Sequence, residues 1–466
     1  MSLLPATTAL LRHRLAREQA DGRAASIVAG VVRGTQLEWS DRIGGTGLVG
    51  ADAPADDLQY RIGSISKTFT AAQVMQLRDA GRLALDDTVE AHLPGTVVGD
   101  RTIASLLSHT GGLAAETTPP WWERTDGTAR SLADVLGADP LVHRQDEVYH
   151  YSNTGYGVLG ELVAAVTGRP WREALQRDLL DPLGLRRTTL RPEAPHARGL
   201  AVHPWADLVT PEPEHDAGVL APAGQLWSTV ADLAVWAAVL AGDHPEVLSA
   251  QAAEQMRGLA VVGDDAGGWT GGHGLGLQLL MDGAGSRAGG APRRLSGHTG
   301  SMPGFVATLW ISPEDRLAAV ALANVTSGPA IARLVADLVD LVAVAEPRLP
   351  TAWAPASDAD PRLLAVVGPW YWGPAALALR VGAGRDLALV SLAGRGRESR
   401  FVAAGDDAWT GRDGYYRGET LRVLRDGDGH PTHLDLGSFV FTRTPYDPAA
   451  PVPGGGVGPE GWTTGD

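Results

Sequence analysis

The segment Tyr60-Arg61-Ile62-Gly63-Ser64-Ile65-Ser66-Lys67-Thr68-Phe69 decides how the rest of the chain is interpreted. From Ser64 to Ala80 apolar residues recur at helical spacing, and Gly81 follows where a helix C-terminus favours a left-handed residue. The pattern predicts a helix with Ser64 in its first turn. On that helix Ser64 and Lys67 share one face, so their hydroxyl and amine can exchange a proton. The free backbone N–H of Ser64 can also form half of an oxyanion hole.

Lys67 is the only lysine among 39 basic residues, the others being arginine. Arginine stays protonated in proteins, whereas a buried lysine can act as a base near neutral pH. A serine hydroxyl is a poor nucleophile until such a base removes its proton. We therefore expect Ser64 to be a nucleophile and Lys67 its base. The alternative is a lysine that persists by chance on a solvated surface.

Two further motifs follow in chain order, Tyr151-Ser152-Asn153 and His298-Thr299-Gly300. Taken alone, Tyr151 and Asn153 could be a core aromatic residue and a helix cap, and His298 a structural histidine. Together with Ser-x-x-Lys, the three motifs resemble the signature of the family of class C β-lactamases, DD-peptidases and related esterases. Residues 105–113 and 221–229 also look like family members, and the resemblance extends over roughly residues 10 to 345.

The resemblance implies a role for each motif residue. Tyr151 would relay the proton between Ser64, Lys67 and the leaving group, and Asn153 would hold Lys67 and an amide of the acyl group. His298 would bind a carboxylate or orient Tyr151. The backbone N–H of Ser301 would complete the oxyanion hole, and Thr299 and Gly300 would contact the substrate. His298 replaces the lysine of the Lys-Thr-Gly motif that is common in β-lactam-processing members, which puts efficient β-lactam hydrolysis in doubt.

Residues 1–345 are expected to form a β-lactamase/transpeptidase-like α/β (α+β) domain, with a mixed, mainly antiparallel sheet flanked by helices. Residues 113–222 are rich in Pro, Gly, Trp and Asp and are expected to form loops and short helices along the active site. The remaining pattern predicts helices at Met1–Gly22, Gly157–Val166 and Ile331–Ala345, a hairpin at Ser26–Val32 and Gln36–Ser40, and a second hairpin at Phe305–Ile311 and Leu317–Ala323.

A proline-containing linker is predicted at residues 346–361, followed by an all-β domain at 362–446 and a disordered tail at 447–466. The resemblance makes the second domain a lipocalin-like barrel. Arg443, near its end, is either a ligand for a substrate carboxylate or peptide, or a solvated strand arginine. The short alternating runs that predict its strands are Leu377–Val381, Leu387–Leu392, Arg400–Ala403, Thr420–Leu424, His433–Leu436 and Ser438–Thr442.

The composition argues against several classes of protein. A net charge of -15 opposes binding to nucleic acid or to an anionic membrane, and the absence of cysteine excludes disulfides and a cysteine nucleophile. The histidines and acidic residues show no metal-ligand spacing, and the glycine-rich segment 263–276 lacks a phosphate-binding pattern and is expected to be a flexible pocket rim. We therefore expect an enzyme without a metal or cofactor. We also expect it to be cytoplasmic, because residues 1–22 lack the uninterrupted apolar core of a secretory signal.

Within the family, the chain most resembles the penicillin-binding-protein-type thioesterases, which release nonribosomal peptides by head-to-tail cyclisation. Three features carry this resemblance: the His-Thr-Gly variant, the lack of a secretory signal and the appended β domain. It implies a peptide or ester substrate, with a peptidyl carrier protein as a possible donor. The alternatives are a hydrolytic esterase or D-amino-acid-specific peptidase with the same catalytic residues, and a non-catalytic binding protein on the same fold.

Overall fold

A computed structural model describes the chain in two compact units, Met1–Leu349 and Pro350–Asp466. Their boundary lies inside the segment that the sequence predicts to be a linker. The described residues are 3–124, 131–263, 270–286, 292–350, 352–355, 360–382, 385–394, 396–437, 439–445, 455–458 and 461–464. Parts of the predicted linker, tail and glycine-rich pocket rim, including residues 264–269 and 356–359, lie outside the described residues.

An eight-stranded sheet forms the centre of the first unit, and each of its described pairings is antiparallel. This agrees with the expected mainly antiparallel sheet, because short hairpins connect most neighbouring strands. Both predicted hairpins are confirmed. In spatial order the strands are Gln36–Gly44, Ser26–Arg33, Leu317–Ala323, Phe305–Ser312, Pro292–Met302, Gln278–Ser286, Gly271–His273 and Val261–Val262.

Helices cover both faces of this sheet. On one face, Pro5–Asp21 packs beside Ile331–Ala345, whose apolar residues recur every three or four positions and are buried. Each fully buried Leu or Val side chain contributes about 1.5–3 kcal/mol, so this stripe holds the helix on the sheet. On the other face lies a larger core that includes the lysine helix Ser66–Asp79 and the helix Val230–Ala241. The chain therefore holds the Ser64 turn between the sheet and the helices.

The other elements of this unit are short, apart from the helix Asn153–Thr167. The remaining α-helices are Ile103–Leu107, Leu132–Leu136, Trp171–Leu175, Asp181–Leu183, Ala221–Gly224 and Ala250–Met256. A π-helix spans Gln176–Leu180, and 3-10 turns occupy Ala55–Asp57, Gly63–Ile65, Val89–Ala91, Trp122–Arg124 and Gly218–Leu220. Small strand pairs join Leu48–Val49 to His196–Ala197, Tyr60–Arg61 to Trp227–Ser228, and Leu200–Val202 to Val209–Pro211.

The second unit contains a closed antiparallel barrel of eight strands, preceded by the helix Pro361–Leu364. Its interior is packed with large side chains, among them Trp370, Trp409 and Phe401. The barrel confirms the expected lipocalin-like fold and adds two strands that the sequence pattern missed, Gly368–Trp372 and Ala408–Gly411. The other strands are Ala375–Val381, Leu387–Ser391, Ser399–Ala403, Thr420–Arg425, Pro431–Leu436 and Phe439–Thr442.

Two short strands lie near the end of the chain, in the segment whose composition predicts disorder, and that disorder stays a prediction. The strands Gly455–Gly458 and Gly461–Thr464 pair antiparallel, with Val457 opposite Trp462. Two extended segments separated by only two residues can satisfy each other's backbone hydrogen bonds, which a count of Pro and Gly does not register. Among the described residues, no helix has both the length and the apolar character needed to cross a membrane.

Candidate active site

Ser64 lies in the 3-10 turn Gly63–Ile65, which leads directly into the lysine helix Ser66–Asp79. Ser64 is partly exposed, whereas the side chain of Lys67 is completely buried. One helical turn separates the two residues, and the Nζ atom of Lys67 lies 2.9 Å from the Oγ atom of Ser64. The predicted pairing of hydroxyl and amine is therefore present, with the hydroxyl facing solvent and the amine behind it.

Two further acceptors surround the amine of Lys67. Its Nζ donates to Asn153 Oδ1 at 2.7 Å and to the carbonyl oxygen of Ala223 at 2.8 Å. Burial lowers the pKa of Lys67 to about 7, and the carboxylates of Glu116 and Glu123 oppose this by raising it. A neutral amine keeps two N–H donors for Asn153 and Ala223, and its lone pair then faces the hydroxyl of Ser64. Lys67 can thus accept the Ser64 proton near neutral pH.

Asn153 is the first residue of the helix Asn153–Thr167, and the side chain of Ser152 caps that helix by accepting from Gly155 N. The carbamoyl group of Asn153 is shared: its oxygen binds Lys67, and its Nδ2 donates to Glu116 Oε1 at 2.8 Å. The second oxygen of Glu116 accepts from Trp122 Nε1 at 2.6 Å. The residue types and spacing that located Asn153 gave no sign of Glu116, which comes from the loop-rich wall.

Tyr151 lies on the other side of the nucleophile. Its ring centroid is 4.9 Å from Lys67 Nζ, and the influence of Ser64 on its pKa places the phenol beside the nucleophile. Burial raises the pKa of Tyr151 well above its usual range, although Ser64 opposes this. The phenol therefore keeps its proton at neutral pH and can donate it to a group bound at Ser64.

His298 belongs to the strand Pro292–Met302, and its ring centroid lies 6.1 Å from that of Tyr151. Its Nδ1 donates to the carbonyl oxygen of Thr299 at 2.5 Å. Burial, followed by the charge of Lys67, lowers the pKa of His298 well below its ordinary value. The imidazole is therefore neutral and offers no positive charge to a substrate carboxylate.

The same strand brings the backbone of Ser301 beside the Ser64 turn. A Cβ atom on Gly63 would lie 2.7 Å from Ser301 N, and one on Gly300 would lie 2.0 Å from Ile62 O and 3.3 Å from Ser64 N. Both positions require glycine for this close approach, and Gly63 also has a positive φ of 51°. The predicted pair of oxyanion donors, the N–H groups of Ser64 and Ser301, thus meets in one place. Thr299, next to them, donates its N–H and its hydroxyl to Gln278 Oε1.

Arg443 belongs to the second unit, where its guanidinium binds backbone carbonyls. Its Nη1 donates to the carbonyl oxygens of Val367 and Pro369 at 3.1 Å, and its Nη2 donates to that of Ala365 at 2.5 Å. The guanidinium also lies 3.9 Å from the ring centroid of Trp370. Through these contacts Arg443 connects backbone segments within the second unit. Its role as a substrate ligand stays a prediction.

Fold and site together define a serine acyl-transfer enzyme, in which a buried lysine hydrogen-bonds a serine at the start of a helix. Residues 10–344 match the Beta-lactamase family, so the chain belongs to that family, within the serine β-lactamase and penicillin-binding-protein superfamily of hydrolases and acyltransferases. Residues 359–443 match a domain of unknown function, DUF7586.

Three known proteins illustrate the likeness. Penicillin-binding protein 4 of Amycolatopsis lactamdurans is 34% identical over 343 residues, which cover 68% of this chain and 84% of that protein. The D-stereospecific amidohydrolase from Streptomyces sp. has 25% identity and a TM-score of 0.58, covering 71% of this chain and 98% of the other. The structure of SurE has 24% identity and a TM-score of 0.57, and it covers 94% of this chain and 99% of its own.

Proposed function

We propose that the protein transfers the acyl group of a peptide through an ester on Ser64 and releases the peptide by head-to-tail cyclisation. The observation that carries the proposal is the 2.9 Å contact between Ser64 Oγ and the buried amine of Lys67. A desolvated amine beside a solvent-facing hydroxyl is the arrangement that nucleophilic catalysis by serine requires. The ester on Ser64 is an intermediate that can be isolated and weighed.

In the first half-reaction neutral Lys67 takes the proton of Ser64 as Oγ attacks the acyl carbonyl carbon. The resulting oxyanion receives hydrogen bonds from the N–H groups of Ser64 and Ser301. The bond between the acyl carbon and the leaving group then breaks, and Tyr151 protonates the leaving group and recovers its proton from Lys67. The products are the acyl ester of Ser64 and a neutral thiol, alcohol or amine.

The charges around the nucleophile favour a substrate whose leaving group carries no carboxylate. A carboxypeptidase must hold the terminal carboxylate of its substrate, and His298 is neutral. Glu116, which binds Asn153, adds an anion close to Lys67. A thioester or ester donor brings no carboxylate to this region, so it avoids that repulsion.

The second half-reaction needs an amine instead of water. The neutral N-terminal amine of the bound peptide would attack the ester carbon and lose a proton to Lys67 by way of Tyr151. The bond from that carbon to Ser64 Oγ then breaks, and Lys67 returns the proton to Oγ as the amide bond forms. The carboxylate of Glu116 can attract this amine in its ammonium form before it is deprotonated. A peptide tethered at Ser64 presents its own amine at high effective concentration, which favours cyclisation over hydrolysis.

A second candidate function is the hydrolysis of peptides or amides of D-amino acids. It is favoured by the likeness to the D-stereospecific amidohydrolase, which is 25% identical to this chain and is matched over 98% of its own length. In this alternative Glu116 would bind the α-ammonium group of the substrate, and water would cleave the ester of Ser64. The two functions share every step of acylation and differ only in the group that attacks the ester.

The test uses a synthetic peptide that carries a C-terminal thioester and a free N-terminus, together with its N-acetylated twin as the control. Cyclisation predicts that the free peptide gives mostly cyclic product, while the N-acetyl peptide stays on Ser64 or is slowly hydrolysed. Linear acid alone from both peptides would remove the cyclase proposal and leave the hydrolase. A chain that acquires no acyl group from either peptide and no phosphonyl group from a fluorophosphonate would be a binding protein, and Ser64→Ala provides the blank.

A further inference from the structure

His109 lies in the segment Ser105–Leu113, which resembles family members but has no role so far. It follows the helix Ile103–Leu107, and only 2% of its surface is exposed. Its φ of 59° is in the left-handed region that residues other than glycine seldom occupy. Such a conformation costs free energy and persists where the surroundings enforce it, which makes it a pointer to function.

Two hydrogen bonds from backbone N–H groups connect His109 to the residues on either side of Tyr151. The N–H of His150 donates to the carbonyl oxygen of His109 at 2.9 Å. The N–H of Ser152 donates to Nδ1 of the His109 ring at 3.0 Å. One residue thus binds the chain immediately before and immediately after the proposed catalytic phenol.

The ring of His109 also packs against the phenol itself. The centroids of His109 and Tyr151 are 4.3 Å apart with an interplanar angle of 31°. Because Nδ1 accepts from Ser152, the ring proton is on Nε2, and this tautomer is required for the hydrogen bond. His273 also packs edge-on against the His109 ring, with centroids 4.7 Å apart, and so limits its movement.

We infer that His109 is the positioning residue for Tyr151. It hydrogen-bonds the backbone on both sides of the tyrosine and packs against its ring, and these contacts hold the Tyr151 hydroxyl beside Ser64. This inference rests on the proposed function, in which Tyr151 relays protons during acylation. His109 itself does not touch the reacting atoms. Its effect should be transmitted entirely through Tyr151, which makes the inference testable by a double-mutant cycle.

Two substitutions separate the contacts that His109 makes. In His109→Asn, the Oδ1 atom can replace Nδ1 as the acceptor for Ser152, and asparagine tolerates the left-handed conformation. His109→Gly keeps the backbone conformation but removes both the acceptor and the ring. Thermal unfolding of both variants is measured first, and the assay temperature is set below both transitions, so that lost folding is not read as lost positioning.

The measurement is the single-turnover rate of Ser64 acylation by a small neutral p-nitrophenyl ester, which needs no peptide. Displacement of a catalytic group by about 1 Å can cost on the order of a hundredfold, so we expect a loss of that order for His109→Gly. It should appear in the acylation rate constant and leave the half-saturating ester concentration unchanged. His109→Asn should recover most of the rate.

The decisive comparison repeats these variants with Tyr151→Phe. If His109 acts through Tyr151, His109→Gly slows the native chain but not the Tyr151→Phe chain. Equal losses in both backgrounds, or no loss in the native background, would overturn the inference while leaving the acyl-enzyme intact. If Tyr151→Phe itself acylates at the native rate, the proposed role of the phenol fails, and the inference fails with it.

Discussion

Lys67 approaches Ser64 to within 2.9 Å from the buried side, so the amine is closed to water while the hydroxyl remains open to it. This division explains how one side chain can be a base and the other a nucleophile. The amine loses the hydration that would stabilise its charge, whereas the hydroxyl keeps access to a substrate.

The rate of Ser64 acylation should increase with pH, with a midpoint near the Lys67 pKa of about 7. The rate increases with pH because only the neutral amine can accept the Ser64 proton, and protonation of Lys67 below the midpoint removes the base. The raised pKa of Tyr151 keeps the phenol protonated, so it adds no loss at mildly alkaline pH. Single-turnover acylation from about pH 5 to about pH 9 measures the curve. A rate that falls across this range would contradict the assignment of the base.

Glu116→Gln should move that midpoint to lower pH. The carboxylate of Glu116 raises the pKa of Lys67, so its neutralisation lets the amine lose its proton more readily. The maximal rate should decrease at the same time, because glutamine cannot accept hydrogen bonds from both Asn153 and Trp122 through two carboxylate oxygens. Glu161→Gln, at an exposed position of the helix Asn153–Thr167, is the matched control and should leave the midpoint in place. A midpoint that moves upward in Glu116→Gln would be inconsistent with this account.

Gly300→Ala should damage both the fold and the oxyanion site. The added methyl group would meet Ile62 O at 2.0 Å, so the strand must move away from the Ser64 turn. Such overpacking costs about 1–3 kcal/mol in the free energy of unfolding, and the displaced Ser301 N–H should slow acylation. Thermal unfolding and ester turnover test the two effects. Gly45→Ala, whose methyl group would meet nothing within 4 Å, is the control and should change neither.

Arg443→Gln should destabilise the barrel. The guanidinium serves the carbonyls of Ala365, Val367 and Pro369, and a glutamine amide is too short and has too few donors to replace it. Loss of such contacts typically costs on the order of 1 kcal/mol each. Denaturant unfolding of the full chain measures the change. An unchanged stability together with an increased KM for peptide substrates would instead support the role of substrate ligand.

The motif residues could be predicted because each combines a distinctive residue type with a fixed local spacing. Ser64 and Lys67 are one helical turn apart, and Tyr151 and Asn153 are two residues apart at a helix start, so the sequence alone placed each pair. His298 was recognised by its neighbours Thr299 and Gly300. The joining of these three segments in one site came from the family resemblance, since no local pattern encodes a contact between residues 67 and 153.

Other parts of the site act through atoms or distances that a sequence pattern does not display. Ala223 contributes a carbonyl oxygen, which every residue possesses, and Glu116 lies in a loop without periodicity. His109 acts on Tyr151 from a segment 42 positions earlier in the chain. In the barrel, the strand Ala408–Gly411 has only four residues, and Gly368–Trp372 begins with a Gly-Pro pair that suggests a turn. These segments lack a strong local strand signal, and they become strands because the register and closure of the barrel pair them with their neighbours.

The most direct test of the central claim is the intact mass of the protein after exposure to a neutral acyl thioester, measured for the native chain, Ser64→Ala and Lys67→Arg. The account predicts one acyl group on the native chain, located at Ser64 by peptide mapping. Neither variant should gain it, since arginine keeps its proton and cannot serve as the base. Acylation of folded Lys67→Arg at the native rate, or an acyl group attached to another residue, would contradict the account.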